Sequence, residues 1–188
     1  PTRHRPLGPA AWRRAMAAFM AEFRRALPGI EIAHNVIWFA AGSGADAAAD
    51  QETSAADYIN LERGANDSGL TGRGPFALAS LLAFVDHVHS QGRHVILEGT
   101  ASDVAGMTYN LASYFLISDG GDLVRSPNLD NGRWWAGFNT VLGPALGARY
   151  SWHGMLRRDF SAGAVLVNPP GGADRTVLLS GPLRSVAN

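Results

Sequence analysis

A broad apolar face at helical spacing, then a glycine, then a short run of β-formers occupy residues 75–98. This unit constrains the fold more than any other feature of the chain. Phe76, Leu78, Leu81, Leu82, Phe84, Val85 and Val88 recur at three- and four-residue intervals, which predicts a helix over 75–91. Pro75 suits its first turn and Gly92 the position just past its end. Arg93–Glu98, RHVILE, then reads as a strand.

The same unit recurs along the chain. Trp12, Met16, Phe19, Met20, Phe23 and Leu27 mark a helix over 9–27, with Arg13, Arg14, Glu22, Arg24 and Arg25 on its other face and Pro28-Gly29 stopping it. A strand over 30–39 follows, then an Ala/Gly/Ser/Asp stretch over 40–56 with little pattern, read as a loop. Residues 57–62 form the next strand, 62–74 a glycine-punctuated loop, 103–113 a helix and 114–118, YFLIS, a fourth strand. Helices and strands that alternate in this way give a parallel sheet with helices packed outside. The short apolar runs suit strands buried on both faces. After residue 150 the texture changes to three antiparallel strands, at 152–160, 163–168 and 175–180, with turns at Ser161-Ala162-Gly163 and Pro169-Pro170-Gly171-Gly172. The expected fold is α/β: a parallel (β/α) barrel or half-barrel over 1–150, with a small antiparallel β extension over 151–188.

Composition narrows the chemistry. Hydrophobic residues make up 46 % of the chain, too many for a disordered segment. Acidic and basic residues balance at 16 each, so no charge excess points to nucleic acid or a membrane surface. All 16 basic residues are arginine, which excludes a lysine Schiff base or a P-loop lysine. There is no cysteine, which excludes disulfides, thiolate nucleophiles and cysteine-ligated zinc. No apolar run approaches the roughly 20 residues that span a bilayer. No signal peptide is visible, and localisation stays open.

Polar residues collect where the strands end: His34, Asn35 and Trp38 on the first, Asn60 and Glu62 on the second, Glu98 and then Asp103 on the third, and Ser118, Asp119 and Asp122 on the fourth. The carboxyl ends of parallel strands carry the active sites of α/β folds. Two glutamates at the ends of successive strands are what acid/base work on a glycosidic bond needs, one to protonate the leaving oxygen and one to act as nucleophile or base. Plainer readings stand beside each. Glu62 has Arg63 next to it as a salt-bridge partner, Asp103 is placed to cap a helix, Asn66-Asp67 is a natural turn pair, and Trp38, Trp134 and Trp135 are ordinary core material as well as sugar platforms. His87 and His89, two apart on a helix, point to different faces and make no helical metal pair; His94 opens a strand at its amino end. Ser43 and Ser68 lie outside any G-x-S-x-G pattern, and the GSG and GRG runs make no dinucleotide loop. No metal or organic cofactor is expected.

HNVIWF at 34–39, YINLERGANDSG at 58–69, FVDHVHSQGRHVILEG at 84–99 and RRDFSAGAVLVNP at 157–169 together resemble the C-terminal half of bacterial TIM-barrel proteins grouped as hypothetical glycosyl hydrolases. The resemblance spans most of the chain. It implies that the four strands are barrel strands five to eight, that Glu98 ends the strand favoured for a nucleophile, and that Glu62 ends the one before it. The family's strand-four segment of the form D-G-apolar-apolar-D has no counterpart here. The implied activity is hydrolysis of a poly- or oligosaccharide by two carboxylates, with Glu98 as nucleophile or base, Glu62 as acid or its partner and Asp103 as helper. His34, Asn35, Trp38, Asn60, Asn66, Asp67, Tyr109, Trp134 and Trp135 would bind the substrate. Two other readings stay open: a non-catalytic carbohydrate-binding protein, or a subunit that completes another chain's barrel. Four strands open on one side would leave a large apolar patch, so a homodimer or a missing N-terminal half is expected.

Overall fold

The computed structural model describes residues 8–38, 46–126 and 134–178. Phe39, the Gly42-Ser43-Gly44 run and the last residues of the strand expected at 175–180 lie outside them. The first part of the chain alternates helix and strand: α1 (Pro9–Ala26), β1 (Ala33–Asn35), α2 (Ala47–Ala55), β2 (Tyr58–Leu61), α3 (Leu78–Ser90), β3 (His94–Glu98), α4 (Val104–Ile117) and β4 (Leu123–Arg125). The four strands form one parallel sheet in the order β1-β2-β3-β4. A three-stranded antiparallel sheet follows, β5 (Tyr150–Trp152), β6 (Met155–Phe160) and β7 (Gly163–Val167). The chain is thus a mixed α/β protein. Among the described residues the parallel sheet does not close into a barrel, and β1 and β4 are its edges.

Burial shows which face of the sheet is covered. Ile59, Leu61, Val95 and Leu97 are almost fully buried and join Leu81, Leu82, Val85 and Ile117 of the helices in one core. The alternate residues Tyr58, Asn60, His94, Ile96 and Glu98 are only half-buried. Successive side chains on a strand point to opposite faces, so the helices cover one face and leave the other open. Each fully buried aliphatic side chain on the covered face contributes about 1.5–3 kcal/mol. The open face is of mixed polarity rather than the apolar patch expected: its rows carry Asn35, Asn60, Glu98 and Arg125 beside Ile96 and Leu123.

Four sequence expectations are corrected. Residues 47–55 are helix, not loop: Asp46 accepts from the amides of Ala48 and Ala49 as N-cap, and the alanine-rich run that follows needs no strong amphipathic pattern. Tyr114–Ile117 is the last turn of α4, not a strand. Met107, Asn110, Leu111, Ser113, Leu116 and Ile117 are its buried positions, and their three- and four-residue spacing continues one helical face. The fourth strand is Leu123–Arg125, so Ser118, Asp119 and Asp122 precede it, at the amino end of the sheet. The strand expected at 152–160 is broken by His153 and Gly154, both at positive φ (48° and 75°), the two-residue turn that joins β5 to β6. The third antiparallel strand is therefore β7; residues 175–178 are not strand.

The small sheet is fixed to α4. Phe160, Val165 and Val167 pack on Leu116. Arg158 donates to the backbone carbonyls of Phe115 (3.0 Å) and Ser118 (2.6 Å), placing a cation at the helix C-terminus, where the dipole favours it.

Candidate functional site

The open face of the sheet gathers the polar residues. Register sets Asn35, Asn60, Ile96 and Leu123 level with one another across the four strands. Two residues further along lies a row of charge. Glu98 stands opposite Arg125 in the β3–β4 pair, and Glu62, one residue past the Leu61–Leu97 pairing, comes level with Glu98.

Each glutamate is held by an asparagine on the preceding strand. Asn35 Nδ2 donates to Glu62 Oε1 at 2.6 Å, and Asn60 Nδ2 reaches Glu98 Oε2 at 3.4 Å. Glu98 Oε1 also forms an ion pair with the Arg125 guanidinium. The two carboxylates therefore differ in setting. Glu98 is three-quarters covered and faces a full positive charge, whereas Glu62 is exposed and has an amide partner.

A cavity of about 550 Å³ opens at this end of the sheet, lined by Asn35, Trp38, Asn60, Glu62, Asp67 and Phe76 among others. Its lining combines two aromatic rings with amide and carboxylate groups, an apolar surface set beside a few polar ones. Arg63 at its wall has φ 69°, followed by Gly64 at φ 60°. A left-handed arginine costs about 1–3 kcal/mol and marks a segment held in place by its surroundings. The conformation turns the chain sharply straight after Glu62.

The structure brings Asn35, Trp38, Asn60, Glu62 and Asp67 together around this cavity, with Glu98 next to Asn60. It places the other candidates elsewhere. Asp103 is the N-cap of α4 and accepts from the Gly106 amide at 2.7 Å. His34 points to the helix side, where its Nε2 lies 2.8 Å from Glu52, and it lines a smaller neighbouring cavity of about 120 Å³. Asn66 turns its Oδ1 inward, buried and without a hydrogen-bond donor. Asp67 splits its carboxylate between the Gly69 amide (2.8 Å) and Arg63 (3.6 Å). The Tyr109 hydroxyl donates to the Asn168 carbonyl at 2.9 Å, and burial pushes its pKa up to about 12, which suits a structural strut. Trp134 and Trp135 pack on Phe138, and Trp134 is 68 % exposed.

Arg125 and Phe76 are the residues that sequence reasoning did not single out. Placing the fourth strand too early left Arg125 in an unassigned stretch. Phe76 read as part of a helical core face, but α3 begins only at Leu78, and Phe76 sits in a short 3-10 turn, 53 % exposed.

A second polar cluster lies at the opposite end of the sheet. The His89 imidazole is 3.0 Å from Asp122, His94 is 3.3 Å from Asp119, and the buried Asp122 carboxylate also accepts from the Val95 (2.6 Å) and Asp119 (3.1 Å) amides. His89, Asp119 and Asp122 are close enough to hold a cation. Each of the three already has hydrogen-bond partners within the protein, and the cluster reads as the lock on the turn that enters β4. A search against protein-family models and against curated proteins found no match for this chain.

Proposed function

We propose that this protein is a glycoside hydrolase that acts on a poly- or oligosaccharide through Glu98 and Glu62, on a (β/α) half-barrel. One observation carries the reading: two glutamates stand level at the carboxyl ends of neighbouring parallel strands, on the uncovered face, each held by an asparagine from the row beneath. Parallel strands in unbroken sequential order with helices on one face are also the arrangement of a barrel segment. Among the described residues β1 and β4 are the edges of the sheet, and these are where further strands would pair, from a second copy or from other β/α units.

The settings of the two carboxylates suggest their roles. Glu98 faces the Arg125 guanidinium, a setting that suits the nucleophile or base. Glu62, exposed at the cavity wall with a neutral partner, is the candidate proton donor to the leaving oxygen. Asn35 and Asn60 orient both groups, and Trp38 and Phe76 offer ring faces. The test is hydrolysis of a panel of oligosaccharides by the wild-type protein and by Glu98→Gln. Turnover lost in a folded variant supports the reading; intact turnover removes Glu98 from the mechanism.

Carbohydrate binding without hydrolysis is the second reading. It is favoured by the engagement of Glu98 with Arg125, which occupies one of its oxygens. Calorimetric binding of an oligosaccharide without product would select it.

A further inference from the structure

Asn110 lies behind the charged row, on the buried face of α4, 1 % exposed. The loops that follow three successive strands converge on its side-chain amide. Its Nδ2 donates to the Arg125 carbonyl at 2.9 Å and reaches Ser126 Oγ at 3.4 Å, at the end of β4. Gly99, just past Glu98 on β3, sits so close that a Cβ there would lie 2.5 Å from Asn110 Cγ. Gly64, two residues past Glu62, is also tight: a Cβ there would lie 3.0 Å from Asn110 Oδ1 and 2.8 Å from the Glu98 carbonyl oxygen. The Gly99 amide also donates to the Arg125 carbonyl at 2.9 Å, so one oxygen ties α4, β3 and β4 together.

Asn110 bonds to the backbone carbonyl of Arg125, from which the charged side chain departs. It fixes the backbone from which each of the three charged side chains leaves its strand. A hydrophobic residue of this size would pack as well on α4, but it would supply no donor for the Arg125 carbonyl. The two glycines leave room for this amide and nothing larger.

We propose that Asn110 is a positioning residue for the Glu62–Glu98–Arg125 row, acting through the Arg125 backbone and through contact with Gly99 and Gly64. Its importance for catalysis rests on the glycoside hydrolase reading; its hold on the Glu98–Arg125 pair does not.

The experiment has two arms. The first needs no substrate: the side-chain nitrogen signals of Arg125 are followed by NMR in the wild-type protein, Gly99→Ala, Asn110→Leu and the double variant. Gly99→Ala presses a methyl onto the amide, and Asn110→Leu keeps the size but removes the donor. Both should move the Arg125 signals, and the double variant should show less than the sum of the two changes, because they act through one contact. Unmoved signals in Asn110→Leu, or strictly additive shifts, would overturn the proposal. If Asn110→Leu does not fold, Asn110→Ala takes its place under the same criteria. The second arm applies to any oligosaccharide the wild-type protein hydrolyses. There Asn110→Leu should lower kcat by about tenfold or more while KM changes less than about twofold, since a misplaced reacting group costs rate more than binding. A fall in thermal stability with kcat unchanged would reduce Asn110 to a structural role and overturn the proposal. Absence of hydrolysis in the wild-type protein would count against the glycosidase reading alone, and the first arm would still decide the role of Asn110.

Discussion

Glu98 and Arg125 face each other across the β3–β4 pairing and form an ion pair on the uncovered face of the sheet. The arginine engages one oxygen of a carboxylate at the carboxyl end of a parallel strand, while Asn60 engages the other. Arg125→Gln should therefore leave the fold intact but move the side-chain amide signal of Asn60, which shares Glu98 with the arginine. The check is a comparison of that signal in the wild-type protein and the variant at one pH. An unmoved signal would mean that the pair contributes nothing in solution.

Under the proposed function, Glu62→Gln and Glu98→Gln should behave differently. Glu98→Gln should remove turnover of every substrate. Glu62→Gln should spare substrates with a good leaving group, because such a group needs little protonation. Comparing aryl glycosides of graded leaving-group acidity checks this. Equal losses across the series would assign Glu62 another role.

The cluster at the amino end of the sheet predicts a pH-dependent stability. Burial pulls the His89 imidazole down, but its hydrogen bond to Asp122 and the charges of Asp122, Asp119 and Asp86 outweigh burial and raise it above its usual 6.5. Its stabilising contribution is complete below that value and is lost as the pH rises through its higher folded-state value. Asp119 behaves in the opposite sense. Burial pushes it up, but the Gly121 amide and the two histidines hold it below its usual 3.8, so its contribution is lost only as the pH falls through that lower value. This region should thus be firmest between about pH 4 and 6.5. His89→Gln should flatten the loss of thermal stability on the alkaline side. An identical alkaline slope in that variant would exclude His89 as its source.

Arg158→Ala should destabilise the protein by about 1–3 kcal/mol, because it leaves carbonyls at the α4 C-terminus without their charged donor. Denaturant unfolding measures it. A change below about 0.5 kcal/mol, the level of an ordinary surface substitution, would show that water replaces the guanidinium at no cost.

In the core, Leu97 is 1 % exposed between the sheet and its helices. Leu97→Ala should cost about 2–5 kcal/mol, the range for a buried leucine whose cavity only partly collapses. Calorimetry or urea unfolding tests it. A smaller loss would mean that the helices can settle onto the sheet.

The sequence by itself determined α1, α3 and the first three strands, the role of Gly92 just past the end of α3, and the two glutamates that follow runs of β-formers, while it left Asp103 between catalytic helper and helix cap. Those features are local: a helical face repeats over one helix, a cap acts within one turn, and a strand shows itself in a few consecutive apolar residues. Where local signals ran out, the reading failed. The end of α4 is as apolar as a strand, the true β4 is only three residues long, and α2 is too uniform in alanine to show a face. Only the tertiary structure decided that Asn35 serves Glu62, that Asn60 and Arg125 share Glu98, and that Asn110 stands behind all three strand ends. Each of those relations joins residues on different elements, and only the strand register and the packing of α4 bring them within hydrogen-bond reach.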